Sequence, residues 1–531
     1  TGDTVKPVVT KPTGVRVKID FDGIDQRIIS VNIPVRDYQD LVAGPDGHVF
    51  IAEAFANENG LVLHRYSIKD RKAIEFIRGI SFASSSFDRK NLLYSSGPSW
   101  FIVNTVAGAP RPGDGRLSTD GMRVYVDPAK EAEQIFKEGW RYQRDFLYVN
   151  NTHGAPWNKV YDWYQPWLKH VKHRSDLNYI IDILGGEIAV GHSYTSGGDF
   201  PQVPTIPVGL LGANYKAENG FFKITKIFTG ENWNPELRSP LSGPGINVKE
   251  GEYLVEVDGR PLTADMNLYS LFEGTANRQI KIRVNNKPST EGARSITVVP
   301  VANEAGLRSR AWVEANRKKV DELSGGKLAY VYVPNTGNPG YTSFNRYYFA
   351  QQNKQGAVID ERNNGGGSAA DYMIDVMGRK LQGYFNNRVE GHKVSTTPMA
   401  GIFGPKVMII NENAGSGGDL LPYMFRKSKL GPLVGTRTWG GLVGTWDTPP
   451  FIDGGRMVAP RGGFFDTDGK WAVEGEGIAP DIEVFYDPKA LIEGRDPQLE
   501  RAVQEALKLL KTEGIELKKE PAAPIRYKRP S

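Results

Sequence analysis

The chain has 531 residues, a net charge of +5, 39% hydrophobic and 24% charged residues, and no cysteine. That length exceeds a single core and points to roughly three or four domains. Interleaved acidic and basic residues speak against a nucleic-acid partner, no apolar run reaches the roughly 20 residues of a membrane-spanning helix, and the missing cysteine excludes disulfides, thiol catalysis and Cys-type zinc sites.

Sixty glycines and 34 prolines imply many turns and a β-rich chain. The opening Thr1-Gly2-Asp3 has no initiator Met and no signal-peptide pattern, as at a processing boundary. The basic tail over residues 518–529 contains Glu520 and reads as a solvated end.

Short alternating segments at 26–33, 41–52, 61–67, 91–95 and 121–126 predict strands. Asp46-Gly47 and Asp120-Gly121 supply turns, the second ahead of the strand expected at 121–126. This spacing suggests a sandwich or propeller blades, and about a hundred residues make only two or three blades. From Pro128 the period becomes helical, with amphipathic segments at 132–143, 157–173 and 177–184, ending in Gly191-His192-Ser193-Tyr194 and a Gly/Pro-rich linker to Pro207.

Residues 208–301 read as strands at 221–227, 253–257, 280–284 and 295–299 with a short helix at 268–273. The loop Gly243-Pro244-Gly245-Ile246 and the turn Val257-Asp258-Gly259-Arg260-Pro261-Leu262 make this segment resemble a PDZ domain, which captures a peptide as an added strand. The remainder alternates strands at 328–333, 356–360, 406–410 and 434–435 with helices at 368–381 and 419–427, a layered α/β unit, and closes with a helix at 497–511. The expected domains are 1–126, 127–205, 206–303 and 304–531.

Four segments carry chemistry. In Asn413-Ala414-Gly415-Ser416-Gly417-Gly418-Asp419, a serine between glycines sits at a strand-to-helix turn. Its hydroxyl is exposed and its neighbouring amides unhindered, as an acyl-transfer nucleophile requires. In Asp360-Glu361-Arg362-Asn363-Asn364-Gly365-Gly366-Gly367 the glycines let backbone N–H groups approach a substrate, and no P-loop lysine follows. His192 lies among small residues, and Glu474 and Glu476 sit on a loop before a strand. Of the other histidines, His170 and His173 fall at a helical spacing, but without HExxH or a carboxylate cluster they read as a basic helix end, and His392 carries no motif.

Together with Gly435-Thr436-Arg437-Thr438-Trp439-Gly440-Gly441, these motifs resemble the S41 family of serine peptidases, in its tricorn branch. The resemblance implies a multidomain α+β protein: partial β-propeller, helical subdomain, PDZ domain and an α/β catalytic domain of crotonase/ClpP type. It implies Ser416 as nucleophile and His192 as general base, with the oxyanion hole formed by the amide of Gly417 and one from Gly365 or Gly366. It puts Glu474, or less readily Glu476, in the relay that orients the histidine. The tricorn pattern has a serine before the histidine where this chain has Gly191, so the relay is expected to use Ser193, Tyr194 or water.

The expected reaction is hydrolysis of peptides or unfolded proteins with no metal or other cofactor. The resemblance also implies a homo-oligomer, hexameric, in the cytoplasm, or in the periplasm or exterior if a signal peptide was removed. The carboxy-terminal processing branch uses a Ser/Lys dyad, but its lysine position here is Gly441. A non-catalytic peptide-binding scaffold and a crotonase-like acyl-CoA enzyme are the remaining alternatives.

Overall fold

The computed structural model describes residues 17–56, 58–387, 389, 394–446 and 448–528. The opening tripeptide, His392 and Arg529 lie outside the described residues. The chain forms two compact units, Thr1–Val126 and Asp127–Ser531.

In the first unit, β1 (Tyr38–Ala43), β2 (His48–Ala54), β3 (Leu61–Ser67) and β4 (Lys72–Ile80) make a four-stranded antiparallel meander, and β5 (Phe82–Ser85), β6 (Asn91–Ser96) and β7 (Ser99–Asn104) a three-stranded one. The 41–52 segment is thus two strands, turned at Gly47 with φ 76°. Phe50, Leu63, Phe76, Ile80 and Leu92 join both sheets in one core. Meanders of this size are the form of propeller blades, but two sheets do not close a ring.

The strands expected at 26–33 and 121–126 do not form: a 3-10 turn at Asp25–Arg27 takes in the start of the first, and the second is irregular. Ile28, Ile29, Val124 and Tyr125 are exposed. Neither segment pairs with a described strand, and strand propensity without a ladder partner does not hold a strand.

The second unit begins with α1 (Pro128–Phe146), α2 (Trp157–Tyr164) and α3 (Arg174–Gly186). The single helix expected at 157–173 breaks where Pro166 opens a 3-10 segment, Gln165–His170. His170 and His173 therefore share no helical face, and His173 instead caps α3, its Nδ1 accepting the Ser175 amide at 3.2 Å. After α3 comes β8 (Tyr194–Ser196), then a sheet of β9 (Ala213–Glu218), β10 (Phe221–Ile227), β11 (Tyr253–Val257), β12 (Arg260–Pro261), β13 (Ile280–Asn285) and β14 (Arg294–Val298) in order β14-β13-β11-β10-β9, with β12 paired to β11.

The layered part contains α4 (Ala305–Ser324), β15 (Leu328–Tyr332), α5 (Asn338–Ala350), β16 (Gly356–Asp360), α6 (Ala370–Met377), the hairpin β17 (Gly383–Phe385) and β18 (Ser395–Thr397), β19 (Lys406–Ile410), α7 (Gly417–Lys427), β20 (Leu433–Gly435), β21 (Thr445–Trp446), β22 (Arg456–Pro460), β23 (Ile482–Glu483), α8 (Pro488–Ile492) and α9 (Pro497–Glu513). Strands β15-β16-β19-β20-β23 form one parallel sheet.

Alternate strand residues explain the layers. Tyr330, Val358, Val407 and Ile409 pack with Val320 of α4 and Val503 of α9. Ala329, Val331, Ile359, Met408 and Ile410 pack on the other face with Phe344 of α5, Met373 of α6 and Phe425 of α7. Burial on both faces is why these strands are continuous apolar runs. The loops after β15, β16, β19 and β20 all leave the carboxyl ends of parallel strands, the edge where open α/β sheets hold their ligands.

Arg362, 2% exposed, anchors this edge, pairing with Asp360 at 2.7 Å and Asp496 at 2.9 Å. Arg362→Ala leaves both carboxylates without this partner and is expected to destabilise the unit by about 3–5 kcal/mol, read as a lower denaturant midpoint for that transition.

Candidate active site

Ser416 occupies the N-terminus of α7 with φ 57° and ψ −116°. A non-glycine residue there carries strain of about 1–3 kcal/mol, a cost that recurs at functional turns. Asp419 holds the turn. Wholly buried, it accepts the Ser416 amide at 2.8 Å, the Thr438 hydroxyl at 2.5 Å and the amides of Gly440 at 2.8 Å and Gly441 at 3.2 Å. One carboxylate thus ties the serine's turn to the loop after β20. Burial pushes its pKa up, against these donors.

His192 reaches this edge through β8, which pairs antiparallel with β22: Tyr194 opposite Val458, Thr195 opposite Met457. Val443, Phe451, Met457 and Ala459 enter the helical core beside Ile181 and Leu184. The buried Arg174–Asp453 pair, at 2.5 Å, adds a clamp between the same segments.

The imidazole is 6% exposed, and its buried Nδ1 has no hydrogen-bond partner among the described residues. Its ring meets the edge of Trp439 at 5.1 Å between centroids. A methyl group at Gly415 would lie 2.6 Å from indole Cε3, and one at Gly191 would lie 3.1 Å from Cζ2 and Cη2. The indole therefore spans from the nucleophile turn to the histidine's segment. Among the described residues no hydrogen bond joins Ser416 to His192.

Glu474 follows Val473, a β-branched residue held at φ 76°. Its Oε1 accepts the Gly191 amide at 2.8 Å, and its Oε2 the amides of Leu442 at 2.7 Å and Val443 at 2.8 Å. Glu476 is exposed and lines a separate surface cleft with Tyr423, Arg426 and Lys427.

The glycine loop corrects an expectation. The Gly365 amide donates to the Pro334 carbonyl at 3.0 Å and the Gly366 amide to Asn364 Oδ1 at 3.0 Å, so neither is free for a substrate oxygen. Among the described residues the amides of Gly367 and Gly417 donate to no protein group, and a methyl at Gly417 would stand 2.8 Å from the Gly367 nitrogen. Ser193 is also placed away from a relay: its hydroxyl accepts from Gln143 Nε2 at 2.7 Å and lies against Gly185 of α3. Tyr194 stands 6.1 Å from the imidazole, ring to ring, and is 45% exposed.

Comparison with known proteins fits this geometry. Models of the tricorn protease C1 domain, the tricorn protease PDZ domain and peptidase family S41 match residues 128–186, 209–303 and 327–484. The tricorn protease of Thermoplasma volcanium is 30% identical over 516 residues, covering 94% of this chain and 49% of that protein. Tricorn protease homolog 1 of Streptomyces coelicolor is 31% identical over 514 residues, covering 93% and 47%. A solved structure, the crystal structure of the tricorn protease, superposes with a TM-score of 0.83 at 27% identity, covering 90% of this chain and 47% of that one.

The chain belongs to the tricorn protease family. It spans about half the length of these relatives. Its fold is the multidomain α+β arrangement of a tricorn protein, with PDZ and S41 domains. No helix among the described residues is long and apolar enough to cross a membrane.

Where the tricorn pattern has its serine, a side chain at Gly191 would press on both Trp439 and the Cα of Gly441, at 3.1 Å each. Glu474 thus meets the backbone of the residue before the histidine, and its charge acts on the ring through space. Burial pushes the His192 pKa below the ordinary imidazole range, while Glu474 and Asp419 oppose the shift.

Asp419, Trp439 and Gly367 are the site residues that sequence reasoning passed over. Asp419 was recognisable as the N3 acid of a helix opened by Ser416, a capping-box spacing. Nothing local marks Trp439 or singles out the third glycine. Gly417→Ala would put a methyl 2.0 Å from Thr336 Oγ1 and 2.4 Å from the Gly367 carbonyl oxygen. The turn must then move from the glycine loop, and kcat for a peptide substrate is expected to fall by about 10²–10³, the usual loss with one oxyanion donor.

Proposed function

We propose that this chain is a serine peptidase that hydrolyses peptides or unfolded proteins through an acyl-enzyme on Ser416, with His192 as general base. What carries the reading is the strained Ser416 at the N-terminus of α7 while His192 is bracketed to the same edge by Trp439 and Glu474. Nδ1 is buried, which leaves Nε2 to take the Ser416 proton and return it to the leaving amine. As the hydroxyl attacks the scissile carbonyl, the developing oxyanion is received by the amides of Gly417 and Gly367, aided by the positive end of the α7 dipole. Water then cleaves the ester by the same proton path in reverse. Glu474, held by three backbone amides, stabilises the imidazolium formed in each half-reaction.

The alternatives have less support. A Ser/Lys dyad finds no base at Gly441, where even a methyl would meet Trp439 at 2.3 Å. Lys406, buried, donates to the Gly404 carbonyl at 3.1 Å at the far, amino end of β19. A scaffold without catalysis leaves the strain at Ser416 unexplained.

The same reading includes modules at 1–126, 127–205, 206–303 and 304–531, a homo-oligomer that is hexameric if it follows the family, and a cytoplasmic location with the periplasm or exterior as alternative. The test is mass-spectrometric mapping of products from a mixed peptide library, wild type beside Ser416→Ala. Cleavage by the first and none by the second supports the reading; equal cleavage by both overturns it.

A further inference from the structure

We infer that Glu361 is a positioning residue of the active site, acting through Asn364 to hold the 365–367 loop against the nucleophile turn; this rests on the peptidase reading of Ser416. Glu361 and Asn364 are both wholly buried at the end of β16. Glu361 Oε2 accepts from Asn364 Nδ2 at 3.1 Å, and its carbonyl accepts the Asn364 amide at 3.0 Å. Asn364 then reaches both loops of the site. Its Oδ1 accepts the Gly366 amide, its carbonyl accepts the Gly415 amide at 3.0 Å, and Gly418 packs so closely that a methyl there would stand 2.8 Å from that carbonyl oxygen. With Gly366 claimed by Asn364, the next amide, that of Gly367, is left for the substrate.

The carboxyl group itself is unusual. Among the described residues Oε1 has no hydrogen-bond partner, and the charges that act on the group are acids, Asp419 and Asp360. Arg362, next in the chain, pairs with Asp360 and Asp496. An ionised carboxylate with one amide donor and no cation is costly in such a place, so the protonated acid is favoured, and burial raises its pKa in that direction. A neutral acid and a glutamine are then close to interchangeable as the acceptor for Asn364, whereas alanine leaves that amide without one.

The test compares steady-state peptide hydrolysis by the full chain as wild type, Glu361→Gln, Glu361→Ala and Ser416→Ala, with thermal unfolding of each. Glu361→Gln is expected to keep kcat within about threefold, and Glu361→Ala to lower kcat by about 10²-fold with KM changed less than about threefold, the signature of lost transition-state stabilisation. Should Glu361→Ala not fold, Glu361→Met fills the volume without a polar atom and is expected to show the same kcat loss. Wild-type kcat in a folded Glu361→Ala or Glu361→Met, or a Gln variant as impaired as these, overturns the role. Turnover retained in Ser416→Ala sinks the peptidase reading itself, whereas turnover lost there but kept in Glu361→Ala sinks only the positioning of the loop.

Discussion

Ser416→Ala is expected to lower kcat on a peptide substrate by about six orders of magnitude, the loss seen when a serine peptidase loses its nucleophile, and to abolish covalent labelling by a fluorophosphonate. Affinity for the peptide should persist, because the variant removes one oxygen. The backbone that presents it stays pinned, since Asp419 holds the Ser416 amide rather than relying on the hydroxyl. Full activity in this variant, with unchanged labelling, leaves the proposed mechanism without its first step.

His192→Ala is expected to cost nearly as much, because nucleophile and base act as one unit and their losses do not add. The pH profile gives a separate check. Catalysis needs the neutral imidazole, and burial lowers its pKa. Activity should therefore persist as pH falls below the ordinary imidazole range, and be lost only as pH falls through the depressed value. Glu474 pulls in the opposite direction, so Glu474→Gln should move the acid limb of kcat/KM further down. A limb that moves up, or a His192→Ala variant with near-normal turnover, points to another base.

Much of the fold was legible because burial on both faces writes itself into the sequence. The strand expected at 356–360 is β16 to the residue, and that expected at 406–410 is β19. The PDZ-like strands are found close to their expected limits for a related reason: apolar alternation with Gly turns between. Failures fell where the local pattern was the same but the partner was not. The 26–33 and 121–126 segments alternate like strands yet pair with no described strand, whereas β4, with Ile74, Phe76, Ile77 and Ile80, forms a strand that was not among those expected.

In the candidate site, the nucleophile turn, the histidine and the acidic loop could be named from residue types and order. Their bonding could not. Ser193 neighbours His192 in sequence yet spends its hydroxyl on Gln143, fifty residues back. Glu474 meets the Gly191 amide from 283 residues away. The three glycines are alike in sequence, yet the amide of Gly365 meets the Pro334 carbonyl, that of Gly366 meets Asn364 Oδ1, and that of Gly367 donates to no described protein group.

The sequence by itself determined the element types, the tricorn motifs and the chemistry available, because periodicity, glycine content and side-chain type are local properties. Tertiary structure decided which amides are free, what the relay glutamate touches and how the histidine's strand joins β22. A hydrogen bond has one geometry, and the partner that meets it is chosen by packing across hundreds of residues of chain.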